Sequence, residues 1–335
     1  MPMTESSTVP AALCIGEAMV GFSPVDGPLR TSDHIQPFVA GAEANVAAGL
    51  AHLGQPVEWF GRVGDDPFGD RIRASLQERG VGVGGVIVDP VRPTGLYFKD
   101  RDGAASTMHY YRAGSAASAL SVGDLDRLVL GERRLVHVSG ITAALSPACD
   151  AFVDALLNRV GRSAASFDVN YRAKLWPVDV AAPRILALAR RARIVLTGRD
   201  EAEVLWGAAT PAEIRELFPD AEALVVKDSD IGATEFRGGA EVFVSAPFVD
   251  VVEPIGAGDA FAAGYLAGFL AGDPGETCVR LGHVMAAQAL RNTSDSPVPP
   301  DAVELRELAA RSGDDWGRLA FGGTATATGT GLGAR

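Results

Sequence analysis

The chain has 335 residues, of which 47% are hydrophobic and 21% are charged, so it is long enough to bury the core of one large domain or two small ones. Its 42 acidic residues outnumber its 30 basic residues, and the net charge of −12 argues against nonspecific attraction to nucleic acid or to anionic membranes. The cysteines are scattered, no apolar run reaches the roughly 18 residues of a membrane span, and the N-terminus has no basic segment, so we expect a reducing, cytoplasmic setting.

The first third of the chain carries strand and helix patterns in turn. Residues 43–53 are rich in alanine and have apolar side chains at helical spacing, and Gly54 is suited to end that helix. Asp65 or Asp66 is suited to cap a second helix. The predicted elements are a strand at 11–22, turns at 23–40, a helix at 43–53, a strand at 57–64, a helix at 66–80 and a hairpin at 94–112 around the turn DRDG.

From about residue 120 onward, short apolar runs alternate with helical stretches. The runs that read as buried strands are LVHVSG (135–140), ASFDVN (165–170), RIVLTG (193–198) and ALVVKD (223–228). This alternation predicts an α/β fold in which helices cover both faces of a mostly parallel sheet. The chain ends in a low-complexity run of Gly, Thr and Ala from 321, and we predict a disordered tail at 313–335.

The stretch DVVEPIGAGDAF (250–261) carries a chemical signal, because a lone acid follows two glycines and precedes an uncharged helical run. Gly256 and Gly258 permit positive φ and close approach to the backbone. Successive amides at a helix N-terminus, including that of Ala257, point at one spot that suits a phosphoryl group. Asp259, kept ionised by the helix dipole, is then placed to accept a proton from an attacking hydroxyl. Taken alone, the motif also fits an Asp259 that only caps a helix.

Other short motifs do not fit their usual context. GVGVGG at 80–85 matches the dinucleotide-binding pattern but follows a helix and precedes a strand, which is the reverse of what that motif requires. The sequence therefore does not support a Rossmann-type dehydrogenase. It has no Gly-Lys dipeptide for a Walker A loop, no G-x-S-x-G elbow, and no metal-ligand spacing among its histidines.

Two signatures about 200 residues apart reveal a resemblance. DVVEPIGAGDAFAAGYLAG resembles the C-terminal signature of the ribokinase-like (PfkB) sugar kinases, and GAEANVAAGLAHLG (41–54) with GRVGDDPFGD (61–70) resembles their N-terminal signature. The resemblance covers about residues 11–312. It implies a ribokinase-like three-layer α/β/α sandwich with a mostly parallel central sheet and a small β lid from about 18–40 and 92–114. It also implies a sugar between lid and sheet, ATP with Mg²⁺ along the carboxyl ends of the strands, and a homo-oligomer formed through the lid.

Four further stretches resemble the 2-keto-3-deoxygluconate kinase branch of the family: TGLYF (94–98), YYRAGSAAS (110–118), SGITAALS (139–146) and FDVNYRAKLW (167–176). Tyr110 and Arg112 share one face of a strand, and an arginine fork binds a substrate carboxylate in a bidentate manner. Without the resemblance, HYYR reads as part of an amphipathic hairpin. The substrate-binding residues that the resemblance implies are Gly41, Ala42, Asn45, Tyr97, Tyr110, Arg112, Arg172 and Asp259.

The resemblance also implies a phosphate side of the site. Catalytic roles fall on Asp259, on the Gly256, Ala257 and Gly258 amides, and on Arg172. Magnesium falls to Glu201 through water. The implied nucleotide contacts are Asn170, Lys227, Ser229, Gly232, Gly256 and Gly258.

Departures from the family pattern leave several alternatives open. Glu253 and Ile255 stand where the family usually has Asp and Thr, so a requirement for a monovalent cation stays open, and Ser229 replaces a common glycine. A fructokinase, a ribokinase, a 5-dehydro-2-deoxygluconate kinase and a catalytically silent sugar-binding regulator are the alternatives. Retention of Asp259 argues against the regulator, because a binding protein has no need of a base.

Overall fold

The computed structural model describes residues 10–102, 105–131, 133–291 and 300–322. The strands within these ranges are β1 (Ala12–Ile15), β2 (Met19–Pro24), β3 (Ile35–Ala40), β4 (Val57–Phe60), β5 (Arg62–Gly64), β6 (Ile87–Asp89), β7 (Leu96–Asp102), β8 (Ala105–Tyr111), β9 (Leu135–Ser139), β10 (Ala165–Asp168), β11 (Ile194–Gly198), β12 (Ala223–Asp228), β13 (Gly232–Arg237), β14 (Ala240–Ser245), β15 (Phe248–Val249) and β16 (Ala320–Phe321). The α-helices within the same ranges are α1 (Ala42–His52), α2 (Pro67–Glu78), α3 (Gly140–Ala144), α4 (Pro147–Val160), α5 (Val178–Ala189), α6 (Arg199–Trp206), α7 (Pro211–Leu217), α8 (Ala257–Ala271), α9 (Gly275–Leu290), α10 (Ala302–Ala309) and α11 (Gly313–Trp316). Among these described helices, none has the length and apolar character that crossing a membrane requires.

Eight strands form the central sheet, in the order β14-β13-β12-β11-β10-β9-β1-β4. Neighbours from β4 to β12 pair in parallel, whereas β13 and β14 extend that edge as an antiparallel hairpin. Parallel neighbours need crossover connections, which the intervening helices supply. The predicted mostly parallel α/β sheet is therefore confirmed, and the four predicted strands after residue 120 are β9, β10, β11 and β12.

Side chains of the central strands alternate between two apolar layers. Along β1, Ala12 and Cys14 pack in one layer, and Leu13 and Ile15 pack in the other. The first layer contains α1, α2, α8, α9 and α10, and the second contains α3 to α7. Because both faces are covered, these strands read as continuous apolar runs in the sequence. The result is the three-layer arrangement that the resemblance implied.

A second sheet has four strands in the order β3-β2-β7-β8, and we call it the lid sheet. β2 pairs in parallel with β7, and the other neighbours are antiparallel. Its strands lie inside the two segments from which the resemblance implied a lid, 18–40 and 92–114. The turn at 103–104 lies outside the described residues.

Two strands predicted as single elements are each divided. The run 11–22 forms β1 in the central sheet and β2 in the lid sheet, and the run 57–64 forms β4 and β5. The first division occurs at Gly16, where a Cβ would lie 2.1 Å from Glu43 Oε2, so the chain passes α1 too closely for any larger residue. Composition alone does not reveal that contact. The helices predicted at 43–53 and 66–80 correspond to α1 and α2. Asp66 caps α2 by accepting hydrogen bonds from the Phe68 and Gly69 amides.

Regular secondary structure continues beyond residue 312, where we predicted that the kinase domain ends and a disordered tail begins. α11 begins after Ser312, whose hydroxyl accepts a hydrogen bond from the Asp315 amide, and β16 pairs with β15. Trp316 and Phe321 are buried in the first apolar layer. The prediction of disorder was therefore wrong for 313–322, because residues 313–320 precede the low-complexity run and because Trp316 and Phe321 are apolar anchors. Residues 323–335 lie outside the described residues.

Candidate active site

α8 begins at the GAGD motif with an unusual backbone turn. Gly256 is the N-cap of α8 and has a φ of 82° and a ψ of −6°, a left-handed conformation that glycine adopts without strain. Behind it the helix is buried, with Phe261 and Tyr265 among its core residues. The first amides of a helix have no acceptor within that helix, so those of Ala257 and Gly258 are available to a ligand. A buried helix thus holds two donors in a fixed direction.

Asp259 lies in the first turn of α8 and is partly buried. Its Oδ2 accepts a hydrogen bond from Asn45 Nδ2 at 3.0 Å, and its Oδ1 accepts a longer one from Asn170 Nδ2 at 3.4 Å. Burial raises the pKa of Asp259, and the hydrogen bond from Asn45 opposes that rise. We had expected the helix N-terminus to dominate and to keep the acid ionised. A raised pKa suits a group that takes up a proton and releases it again.

A buried ion pair lies beside this helix end. Lys227 Nζ on β12 is 3.1 Å from Oδ2 of Asp168, the last residue of β10. Burial alone would lower the pKa of Lys227, but the carboxylates of Asp168 and Glu201 raise it above its usual value. A Cβ built on Gly258 would lie 3.7 Å from Lys227 Nζ, so the ammonium is next to the first turn of α8. A fixed cation at a helix N-terminus favours binding of an anion.

Glu201 lies in the first turn of α6, and its carboxylate is a ligand type that suits magnesium. Its two oxygens accept hydrogen bonds from the Tyr171 amide at 2.9 Å and the Gly198 amide at 2.8 Å. Burial raises the pKa of Glu201, and Lys227 opposes the rise. In the described part of the chain, no group of three His, Cys, Asp or Glu side chains forms a ready metal site. Magnesium usually keeps several waters and uses one or two carboxylates plus substrate phosphates, and Glu201 with Asp168 fits that need.

The N-terminus of α1 supplies another wall. Gly41 is its N-cap with a φ of 154°, and a Cβ there would lie 2.2 Å from the Glu17 carbonyl oxygen, so only glycine fits. Ala42 opens the helix, and Asn45 projects its amide to Asp259. The ends of α1 and α8 therefore meet through the Asn45–Asp259 hydrogen bond. This contact brings the predicted sugar-binding motif and the predicted base together.

One face of the lid sheet carries Tyr97 and Tyr110, and Arg112 follows directly after its last strand. The rings of Tyr97 and Tyr110 are 5.7 Å apart, and the Arg112 guanidinium lies 5.6 Å from the Tyr110 ring centre. Arg112 also forms an ion pair with buried Glu17, which accepts a hydrogen bond from Ser115 Oγ at 3.1 Å. We had expected an arginine fork open to a substrate carboxylate, whereas an internal carboxylate already occupies part of that fork. Sequence spacing could not show this pairing, because Glu17 lies far from Arg112 in the chain.

Comparison with known proteins decides the family. Residues 10–302, which are most of the chain, match the pfkB family carbohydrate kinases. The chain belongs to this family.

Relatives of this pfkB kinase cover nearly its whole length. A 2-dehydro-3-deoxygluconokinase from Thermoproteus tenax is 34% identical over 304 residues, which are 88% of this chain and 93% of that protein. A protein of the same name from Bacillus subtilis strain 168 is 34% identical over 308 residues, with 89% and 94% covered. The crystal structure of a PfkB protein from Polaromonas sp. JS666 has a TM-score of 0.80 at 31% identity, covering 89% of this chain and 99% of that one. The predicted family, enzyme class and fold are confirmed.

Two predicted nucleotide contacts of this pfkB kinase lie where β12 turns into β13. Ser229 is exposed on the turn between β12 and β13, and Gly232 begins β13. Ser229 has a φ of 45°, a conformation that costs a non-glycine residue about 1 kcal/mol, which explains why glycine is usual there. Asn170 has a φ of 38° and links Asp259 to Asp168, because its side chain donates to Asp259 and its backbone N–H donates to Asp168 Oδ1 at 3.2 Å. Strained backbone of this kind concentrates at functional sites.

Arg172 lies on the surface, within electrostatic reach of Asp259. Its side chain is exposed, and its Nη1 donates to the Tyr171 carbonyl oxygen at 3.4 Å. Burial raises the pKa of Asp259, and the charge of Arg172 is among the effects that oppose the rise. Arg172 is thus close enough to act electrostatically, although it does not contact Asp259.

Sequence reasoning did not single out several buried charged residues, three of which lie near the site or the lid sheet. Glu43 is fully buried in the first turn of α1 and accepts a hydrogen bond from Ser139 Oγ at 2.6 Å, and burial raises its pKa to about 7. Lys99 is buried within the lid sheet, and Glu17 is buried just before its first strand. Two signals were available: an acid in an alanine-rich helix, and a lysine on the same strand face as Tyr97.

Proposed function

We propose that this pfkB kinase transfers the γ-phosphoryl group of ATP to the 6-hydroxyl of 2-keto-3-deoxygluconate, also called 2-dehydro-3-deoxygluconate. The observation that carries the reaction is the position of Asp259, at the N-terminus of a buried helix with its carboxylate held by Asn45 and with Lys227 nearby. The names of the relatives from T. tenax and B. subtilis support the substrate.

Asp259 is the proposed general base. Asn45 holds Oδ2 at 3.0 Å. Within the described residues, Oδ1 accepts only the 3.4 Å contact from Asn170, so Oδ1 is the better acceptor for a substrate hydroxyl. As the hydroxyl oxygen attacks the γ-phosphorus, its proton passes to Oδ1 and the bond from phosphorus to the ADP oxygen breaks. A positioned base of this type contributes about 10²- to 10⁴-fold to the rate.

The α8 N-terminus is the proposed anion hole. The amides of Ala257 and Gly258 point toward the site where charge spreads over the equatorial oxygens of the transferring group, and Lys227 adds a full positive charge beside them. Donors fixed on a buried helix need no reorganisation during the reaction. Asp168 and, through water, Glu201 would hold magnesium, and the bound ion would supply positive charge to the nucleotide phosphates.

The lid sheet is the proposed recognition surface for the acid sugar. Tyr97 and Tyr110 provide an aromatic wall, and Arg112 provides the cation. Among the described residues, Arg112 Nε is a buried donor without a hydrogen-bond partner, so the ion pair with Glu17 does not use every donor of the guanidinium. Glu17 orients the guanidinium and, because it is an anion, weakens the attraction for that carboxylate. The selectivity for acid over neutral sugars should therefore be moderate rather than absolute.

The lid sheet also has an apolar exposed edge. Tyr111 is 66% exposed and Ile35 is 43% exposed on its two outer strands. We keep the expectation of a homo-oligomer formed through this sheet as part of the proposal. Light scattering coupled to size exclusion tests it, and a monomer at working concentration contradicts it.

A substrate panel tests the proposed reaction directly. An ADP-release assay is run with ATP, Mg²⁺ and either 2-keto-3-deoxygluconate, 2-keto-3-deoxygalactonate, 5-dehydro-2-deoxygluconate, fructose or ribose. We expect kcat/KM to be highest for 2-keto-3-deoxygluconate. A preference for fructose or ribose refutes the acid-sugar proposal, and sugar binding without any turnover favours the silent regulator.

A further inference from the structure

Lys99 is a completely buried lysine of the lid sheet. It lies on β7 two residues after Tyr97, so both side chains project from the same face. The exposed fraction of Lys99 is 0%. Full burial is rare for lysine unless an opposite charge accompanies it.

The ammonium group of Lys99 joins two parts of the molecule. Its Nζ lies 3.7 Å from Oε2 of Glu253, which is 2% exposed, and 4.8 Å from the ring centre of Phe38 on β3. Glu253 belongs to the loop between β15 and α8. This ion pair therefore connects the lid sheet to the loop that delivers the anion hole.

Glu253 in turn holds that loop. Its Oε1 accepts a hydrogen bond from the Ile255 amide at 3.4 Å, directly before Gly256. Its own amide and that of Val252 donate to the Leu290 carbonyl oxygen at 3.0 Å and 2.8 Å, at the end of α9. The carboxylate is thus anchored only three residues before the N-cap of α8, so a displacement of the ammonium acts close to the anion-binding amides.

We propose that Lys99 is a positioning residue that couples closure of the lid sheet to the geometry of the α8 N-terminus. A sugar that draws the lid inward presses the ammonium toward Glu253, and the loop then holds the Ala257 and Gly258 amides on the transferring phosphoryl group. The side chain also serves as a built-in monovalent cation beside Glu253. The inference rests on the proposed phosphoryl transfer, and it concerns coupling between two surfaces rather than the choice of substrate.

A double-mutant cycle tests the coupling. Lys99→Met and Glu253→Gln are each expected to lower kcat about 10- to 100-fold, since displacement by about 1 Å costs that much, while KM for ATP stays within about threefold. The kcat of the double variant is expected to be no lower than that of the more impaired single variant, because the two groups act as one unit. Losses that add in full overturn the proposal, as does a Lys99→Met enzyme with wild-type kcat.

Chemical rescue separates positioning from general destabilisation. Addition of ammonium or methylammonium chloride to Lys99→Ala is expected to restore kcat severalfold, because a free cation refills the place beside Glu253. Sodium chloride at the same ionic strength is the salt control. The variant Lys99→Ala/Glu253→Gln is expected to show no rescue, and equal stimulation of both variants overturns the proposal.

Further controls guard against misfolding and a wrong substrate. Arg73→Met removes one partner of an exposed ion pair with Asp70 on α2, at 3.4 Å, and is expected to keep wild-type kcat. Thermal unfolding shows which variants fold; if Lys99→Met does not, Glu253→Gln alone must still lower kcat about 10- to 100-fold, and a wild-type kcat in that variant overturns the proposal. Wild-type turnover of 2-keto-3-deoxygluconate is measured first. If another sugar of the panel is the substrate, the proposed function fails in that respect and the cycle is run with that sugar.

Discussion

Replacing Asp259 with asparagine separates catalysis from folding. The asparagine keeps one acceptor for Asn45, which now bonds at 3.0 Å, and turns its amino group toward Asn170, where a donor meets a donor at 3.4 Å. The cost to stability is therefore one long hydrogen bond, about 1 kcal/mol in the free energy of unfolding.

The cost to catalysis is expected to be much larger. Asparagine cannot accept the proton of the attacking hydroxyl, so Asp259→Asn should lower kcat about 10²- to 10⁴-fold, which corresponds to about 2.7–5.5 kcal/mol in the barrier. KM for the sugar should change little, because the contact between residue 259 and Asn45 remains. The predicted loss in the barrier thus exceeds the predicted loss in folding by several-fold.

The assay measures kcat and KM by ADP release and the free energy of unfolding by urea. Asp273→Asn is the matched control, since Asp273 follows the other end of α8 and pairs with Arg306 at 3.3 Å. We expect the control to lose a little stability and to keep wild-type kcat. An Asp259→Asn enzyme that retains kcat within about tenfold of wild type would refute the reasoning, because loss of a positioned base costs more.

Three further predictions concern the helix ends, the buried acid and the lid. Gly256→Ala and Gly272→Ala place alanine at φ values of 82° and 81° at the two ends of α8, so both should cost about 1–2 kcal/mol of stability, but only Gly256→Ala should lower kcat. Equal kcat values for the pair would contradict an anion hole there. Burial raises the pKa of Glu43 from 4.5 to about 7, so the folded state binds more protons than the unfolded state in that window and stability falls as pH rises through it. Glu43→Gln should reduce that fall in urea unfolding between about pH 5 and pH 8, by up to about 3 kcal/mol, and an unchanged slope would count against a titrating Glu43. Arg112→Lys should raise KM for 2-keto-3-deoxygluconate more than KM for a neutral sugar, and equal effects would remove Arg112 from carboxylate recognition.

Local sequence patterns were enough to predict the parallel sheet and the N-termini of the two helices that form the site. Apolar runs from β9 to β12 identified the parallel sheet because strands buried on both faces need no polar alternation. The glycines at 41 and 256 marked the two helix starts that form the site, since each takes a positive φ. Asn45 and Asp259 were recognised on these motifs, and the structure joins them by one hydrogen bond.

The charged contacts between distant segments could not be read in the same way. Glu17 and Arg112 are 95 residues apart, and Lys99 and Glu253 are 154 residues apart, so neither periodicity nor local spacing links them. Burial of these groups is decided by how the lid sheet packs, which is a tertiary property. The C-terminal boundary failed for a related reason, because Trp316 contributes to a core whose other members lie far away in the chain.

The short tethers of the lid sheet limit how it can move. Three residues separate β1 from β2, and one residue separates β3 from α1. An extended chain spans about 3.5 Å per residue, and Gly41 leaves no space for a Cβ against the Glu17 backbone, so this margin cannot slide. We therefore expect the lid sheet to tilt about this margin, with the largest displacement at the strand ends farthest from it. Admission of a sugar and departure of its phosphate ester would then require this tilt, and a substitution that restricts it should lower both rates without altering the chemistry at Asp259.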